Sequence, residues 1–295
     1  MTFLAMVLPG CSSGGGDLSE GWGRKGLHPG MFIRPRAMAC DLRPRHEAVY
    51  VVDFTGRIQV FNFQGQYLRG WATPNIANGR PAGIGVARDG RVLVADSHYQ
   101  RVLIYTPDGQ LLREIVGEGP AGPFAYVADV VEDAEGHLYV SEFGVAAQIR
   151  KLTPEGKTIA VWGSPGEGRG QFARPRGLAF NSRGELHVAD SCNHRIQVFD
   201  RHGQWLRMWG QPGTGPGQLG FPYDVAINSA DEVFVTEFGN QRVQRFSPLG
   251  ESGGIWGRPG RDLGCLFNPW GLTIGLDRTV FVTDTDSHRI QKFRY

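Results

Sequence analysis

Cysteine is scarce in this chain: Cys11, Cys40, Cys192 and Cys265 are the only four, with no CxxC pair and no Cys/His spacing suited to zinc. That pattern gives no sign of a metal-built module, and the thiols read as buried or incidental side chains. No long pattern of apolar residues at i, i+3 and i+4 stands out, which argues against a helical fold. The short apolar stretch at residues 3–8 (FLAMVL) falls far below the roughly 20 residues that cross a bilayer as a helix. Neither sign of charge is in excess: 31 basic and 29 acidic residues leave a net charge of +2. A strong sequence-independent pull on phosphate backbones is therefore not expected, and composition argues against a dedicated nucleic-acid binder. Turn formers are plentiful instead, with 43 Gly and 18 Pro beside 41% hydrophobic residues. The composition is that of a β protein with a real core and many tight turns.

Residues 3–8 run into Leu8-Pro9-Gly10-Cys11 and then SSGGG. A short apolar segment ending in a small residue resembles the end of an export signal. The Cys after Leu-x-Gly resembles a bacterial lipoprotein box, in which that Cys carries the lipid. The expectation is an export segment and short tether over residues 1–16, lipidation at Cys11, and a protein placed in the cell envelope, periplasm or outside the cell. Membrane contact would come only through that lipid.

The rest of the chain is repetitive. In residues 170–210, a Gly-x-Phe-x-x-Pro lead-in opens onto an apolar run, a turn at 182–184 and an alternating strand ending at Asp190. A polar connection, the strand RIQVF at 195–199, a second turn and the segment 205–209 follow. The acid that closes the second strand recurs as Asp53, Asp96, Glu142, Asp190, Glu237 and Asp284, at intervals of 43 to 48 residues. Each is followed by a third strand, which opens with Arg57, Arg101, Gln148, Arg195, Arg242 and Arg289 in turn. Four short strands per unit of about 45 residues is the signature of a propeller blade, which must stack on neighbours to bury both faces. Six units predict a single all-β domain, a six-bladed propeller of four-stranded antiparallel blades over residues 17–295, expected as a monomer. The last unit stops at Tyr295 without a fourth strand, and Trp22-Gly23 matches the fourth-strand endings Trp162-Gly163, Trp209-Gly210 and Trp256-Gly257. Residues 19–23 are therefore expected to complete the last blade.

The run from Pro175 through Val188-Ala-Asp190, Asn193 and Arg195 to Phe199 resembles the NHL repeat, as do Pro222 to Phe246 and Pro269 to Phe293. The resemblance implies the propeller fold but not one activity, since function sits on sites grafted onto folds. It implies a domain that binds a partner, or RNA in tripartite-motif-like proteins, with zinc amidating lyases and calcium-dependent lactonases on rings of similar shape.

Recurrence helps sort the chemistry. The acid and Arg present in nearly every blade read as blade-building devices, and the histidines share no position suited to a zinc site. The Gly-rich loops at 163–170 and 210–217 lead from strand to strand with no helix to receive a phosphate, so they read as connectors between blades. Positions that differ between blades are more informative. The residue after the lead-in Pro is Arg36, Ala82, Arg176, Tyr223 and Trp270, while Asp129 and Asp224 stand where other blades have Gly83, Gly177 and Gly271. Arg36, Asp129, Arg176, Tyr223, Asp224 and Trp270 are thus the candidate ligand platform at the channel mouth. The reading is a non-catalytic binding or scaffolding propeller for a protein, peptide or glycan, with no cofactor, no metal and no nucleic acid. The alternatives are a metal-dependent lyase or hydrolase at the channel mouth and, after it, RNA binding.

Overall fold

The computed structural model describes residues 18–77, 80–118 and 122–295. Cys11 and the signal-like segment lie outside the described residues. Among the described residues, 24 strands form six four-stranded antiparallel sheets arranged as blades. In chain order, blades one to five cover residues 35–72, 83–115, 126–162, 175–209 and 222–256. The sixth is built from Leu272–Ile274, Thr279–Asp284 and Arg289–Arg294, and its outer strand is Leu18–Trp22. The ring is closed by the N-terminal strand, one residue earlier than the sequence suggests, with Gly21 opposite Gln291 and Trp22 opposite Ile290.

Burial explains the strand sequences. In blade four, Leu186–Asp190 and Arg195–Phe199 are buried along their whole length, because a blade is covered on both faces. Leu186, Val188 and Phe199 pack towards Tyr139 and Ile149 of blade three. Ala189 and Ile196 pack towards Val225 and Val233 of blade five. The outer strand Trp205–Trp209 alternates between half-buried and exposed positions, as a strand on the rim should.

Blades are locked by a large ring at the end of one outer strand and a glycine turn in the next blade. Trp22 lies over Gly65, Trp71 over Gly109, Trp162 over Gly203 and Trp209 over Gly250, and a Cβ at any of these glycines would come within 2.5–2.7 Å of the indole. All four glycines also have φ between +79° and +92°, where L side chains are disfavoured. Ile115 plays the same part over Gly156. Trp22 therefore does for the seam what its equivalents do elsewhere. Its ring stands 5.6 Å from Phe281 in the last blade and 5.9 Å from Phe61 in the first. Burying such a side chain is worth roughly 2–3 kcal/mol, which offsets part of the entropy of joining the chain's two ends.

The ring carries a second period, of two blades. Blades one, three and five place Phe54, Phe143 and Phe238 directly after the recurring acid, where blades two, four and six place Ser97, Ser191 and Thr285. The latter three open short 3-10 turns, Ser97–Tyr99, Ser191–Asn193 and Thr285–Ser287. On or immediately before the innermost strands, Gly83, Gly177 and Gly271 of the even blades face Asp129, Asp224 and Ala37 of the odd ones. A side chain at Gly83 would strike the Asp129 carboxylate and the Ala128 carbonyl, and one at Gly271 would meet the Arg36 carbonyl at 2.7 Å. The channel wall is thus an interlock of small and larger residues with approximate three-fold character.

Candidate functional site

The recurring acid and arginine sit between the second and third strands of each blade. Arg57, Arg101, Arg195, Arg242 and Arg289 reach Asp53, Asp96, Asp190, Glu237 and Asp284 at 2.5–2.8 Å. The remaining guanidinium hydrogens hold the preceding connector: Arg195 donates to the carbonyls of Glu167, Gly168 and Gln171. Asp190 also accepts from the Ala173 backbone N–H and from Asn193. Every partner belongs to the fold. The loops at 163–170 and 210–217 are the connectors that these arginines pin.

Blade three breaks the sequence pattern and keeps the physics. Gln148 stands where other blades have Arg, yet Arg150, two residues on and therefore on the same strand face, donates to Glu142 at 2.8 Å. Gln148 takes the role that Gln197 has in blade four, donating to the same acid at 3.0 Å. The two residue types have exchanged places along one strand.

The histidines are spread over the ring. His194 and His288 each accept a backbone N–H from the following blade's lead-in, from Phe221 at 3.2 Å and Arg34 at 3.0 Å. His187 is buried against Trp209, and desolvation lowers its pKa to about 4, so it stays neutral. Among the described residues, one trio of potential metal donors lies close together, Asp133, Glu135 and His137. Asp133 there accepts from the backbone of Glu135 and His137 and from the Tyr139 hydroxyl, which is the geometry of a turn.

At the channel mouth the variable residues come together. The pairing of first and second strands slips after Pro35, Val127, Pro175 and Pro222, and each irregularity brackets a candidate position or its equivalent. Bulges of this kind re-aim side chains. Arg36 lies 4.8 Å from the Phe54 ring and 4.7 Å from that of Trp270. Arg176 lies 4.9 Å from Trp270 and 3.9 Å from Tyr223, which stacks on Phe238 at 4.5 Å. Arg80, on the connector into blade two, caps the other end of this series at 4.7 Å from Phe54. The result is a ladder of alternating cations and rings that runs from blade one, by way of blade six, to blade four on the opposite side of the ring.

Two of its guanidiniums are buried, with Arg36 at 9% and Arg176 at 4% exposure. No carboxylate lies within 4.0 Å of either among the described residues, and the Nε of each has no hydrogen-bond partner. Arg36 donates from Nη1 to the Arg80 carbonyl. Desolvation lowers both pKa values to about 10, reinforced at Arg36 by the positive charges of Arg34, Arg176 and Arg80.

Asp129 and Asp224 line the same cavity of about 660 Å³ but are not part of the ladder. Each braces a neighbouring blade instead, Asp129 accepting from the Leu178 N–H and Asp224 from the Leu272 N–H, both at 2.9 Å. Desolvation raises Asp129 to about 7. It raises Asp224 as well, and there the charge of Asp129 adds to the effect. The six sequence candidates therefore form two groups, a cationic–aromatic ladder of Arg36, Arg176, Tyr223 and Trp270 and a pair of acids whose pKa values are raised. Phe54, Phe143 and Phe238 complete the rings beside them, with Arg176 and Arg174 at 5.8 and 5.5 Å from Phe143. Sequence reasoning missed these rings, although their spacing of every second blade was a readable signal.

Comparison with known proteins agrees with this architecture. The family described as "NHL repeat" matches residues 172–199, 219–246 and 268–293. NHL repeat-containing protein 3 of Homo sapiens is 28% identical over 160 residues, 49% of this chain and 45% of that protein. Curated relatives are spanned by this chain over only 4% to 45% of their length. Among solved structures, a gluconolactonase from Xanthomonas campestris superposes with a TM-score of 0.68 at 12% identity, covering 97% of this chain and 99% of that one. A virginiamycin B lyase from Staphylococcus aureus superposes with a TM-score of 0.62 at 16% identity, covering 89% and 81%. At such identities these likenesses concern the fold.

Proposed function

We propose that this chain, an NHL-repeat six-bladed β-propeller protein, is a binding and scaffolding module that recognises a protein, peptide or glycan through the ring face carrying the channel mouth. The observation that carries this reading is the Arg36–Trp270–Arg176 stack, whose buried cations lack acidic partners while the arginines of the blades are paired. Aromatic rings and guanidiniums are the side chains that dominate binding hot spots. A pull-down from an envelope fraction tests it: the Arg176→Ala, Trp270→Ala double variant should lose the captured partner, and unaltered capture would count against the mouth. Export and lipidation at Cys11 belong to the same proposal, with incorporation of a labelled lipid precursor as the check.

A second reading, a lyase or hydrolase, is favoured by one observation: the buried Asp129 and the half-buried Asp224 share the channel, and desolvation raises the pKa of both. A carboxyl group with a raised pKa is suited to general acid work. The lactonase and lyase with the same fold give that reading a set of reactions to screen. Turnover of a lactone that Asp129→Asn and Asp224→Asn abolish would favour the enzyme, and elemental analysis of the purified protein would reveal a metal.

A further inference from the structure

Five guanidiniums gather at the channel mouth. Arg34 pairs with Asp286 at 2.7 Å, whereas Arg36, Arg80, Arg174 and Arg176 have no carboxylate within 4.0 Å among the described residues. Leaving a buried cation without a counter-ion costs several kcal/mol. Stacking on aromatic faces returns up to about 2 kcal/mol per contact, and the mutual repulsion of the cluster remains. The mouth also lies at the end of a cavity of about 660 Å³, within the range that holds a small molecule.

We propose that the mouth binds an oxyanion, a carboxylate or phosphate group, at the guanidiniums of Arg36 and Arg176 that flank Trp270. This rests on the binding-module reading and names the chemistry its ligand must present. Both cations are buried, so the group must be small or terminal to reach them; a continuous polymer backbone would meet only the outer arginines. Trp270 and Tyr223 offer apolar faces to whatever carries the oxyanion. Asp129 and Asp224 line the same cavity with carboxyl groups that desolvation pushes toward the neutral form, which suits hydrogen bonding to an uncharged polar group. The ligand is therefore acidic at one end and polar but uncharged at the other.

The test is an NMR titration that follows the arginine Nε–Hε resonances of the full chain with inorganic phosphate, with acetate and with neutral acetamide. Saturable shifts confined to Arg36 and Arg176 are expected with the two anions and none with acetamide. Arg176→Met should weaken anion binding at least tenfold, and Arg176→Lys should retain part of it. A peptide with a free C-terminal carboxylate, compared with its amidated form, separates a protein terminus from a free small acid as the source. Absence of shifts in the wild-type chain with both anions overturns the proposal without any variant having to fold. If anions bind but partner capture is unchanged in Arg176→Met, the oxyanion site stands and the partner reading at this mouth fails. If capture is lost while no anion binds, the reverse holds.

Discussion

Arg195 and Arg176 lie in the same blade and are almost equally buried, at 8% and 4% exposure. Arg195 has an acid at 2.8 Å and three backbone carbonyls, while Arg176 has aromatic rings and no acid. Burial alone therefore does not tell a structural arginine from a functional candidate. What distinguishes them is whether the fold has supplied the counter-charge. A paired set repeated around the ring holds blades together; an unpaired pair at one opening leaves charge for something else to meet.

The strongest way to break this comparison is Arg195→Met. It strands Asp190 without its cation, and thermal melts should report a loss of about 3–5 kcal/mol. Nearly as large, Arg150→Gln should cost about 3 kcal/mol by removing the guanidinium paired with Glu142. Adding Gln148→Arg to it restores the order found in blade four, and most of the lost stability should return. Failure of that rescue would mean that strand position, not charge pairing, sets the cost.

A smaller effect concerns the acids. Folding raises the Asp129 pKa to about 7, so the native state favours its protonated form. That contribution is full below the ordinary carboxylate value of about 4 and is lost as pH rises through about 7. Wild-type stability should thus fall across that window relative to Asp129→Asn, in which the position cannot ionise. Melts of both proteins between pH 4 and pH 8 check the difference, and parallel curves would contradict it. The smallest effect should be Arg176→Met: stability within about 1 kcal/mol of wild type, because lost stacking is balanced by relief from an unpaired buried charge. A loss as great as that of Arg195→Met would place Arg176 with the structural set.

Much of this was legible in the chain because a repeat exposes what blades share. The acid, the third-strand arginine, the glycine turn and Trp22 at the seam recur at fixed offsets, and each has a local contact that explains it. Gln148 departs from the arginine series when residue types are compared position by position, whereas the strand needs a cation and an amide on one face in either order. The mouth candidates were found as exceptions to the repeat, but their division into a ladder and an acid pair was not. Contacts such as Arg36 with Trp270 join unlike positions across an opening, and no offset along the sequence encodes them. Phe54, Phe143 and Phe238 were overlooked because the period was taken as one blade when these residues follow a period of two.

That doubled period limits how this ring can be rearranged. Exchanging blade two for blade four would keep parity, since each brings a glycine to the wall and a Ser-led turn to the mouth. Exchanging blade two for blade three would place a carboxylate where its neighbours have left no room, and would remove a ring from one side of the opening while adding one to the other. The part that can be shuffled is a pair of blades.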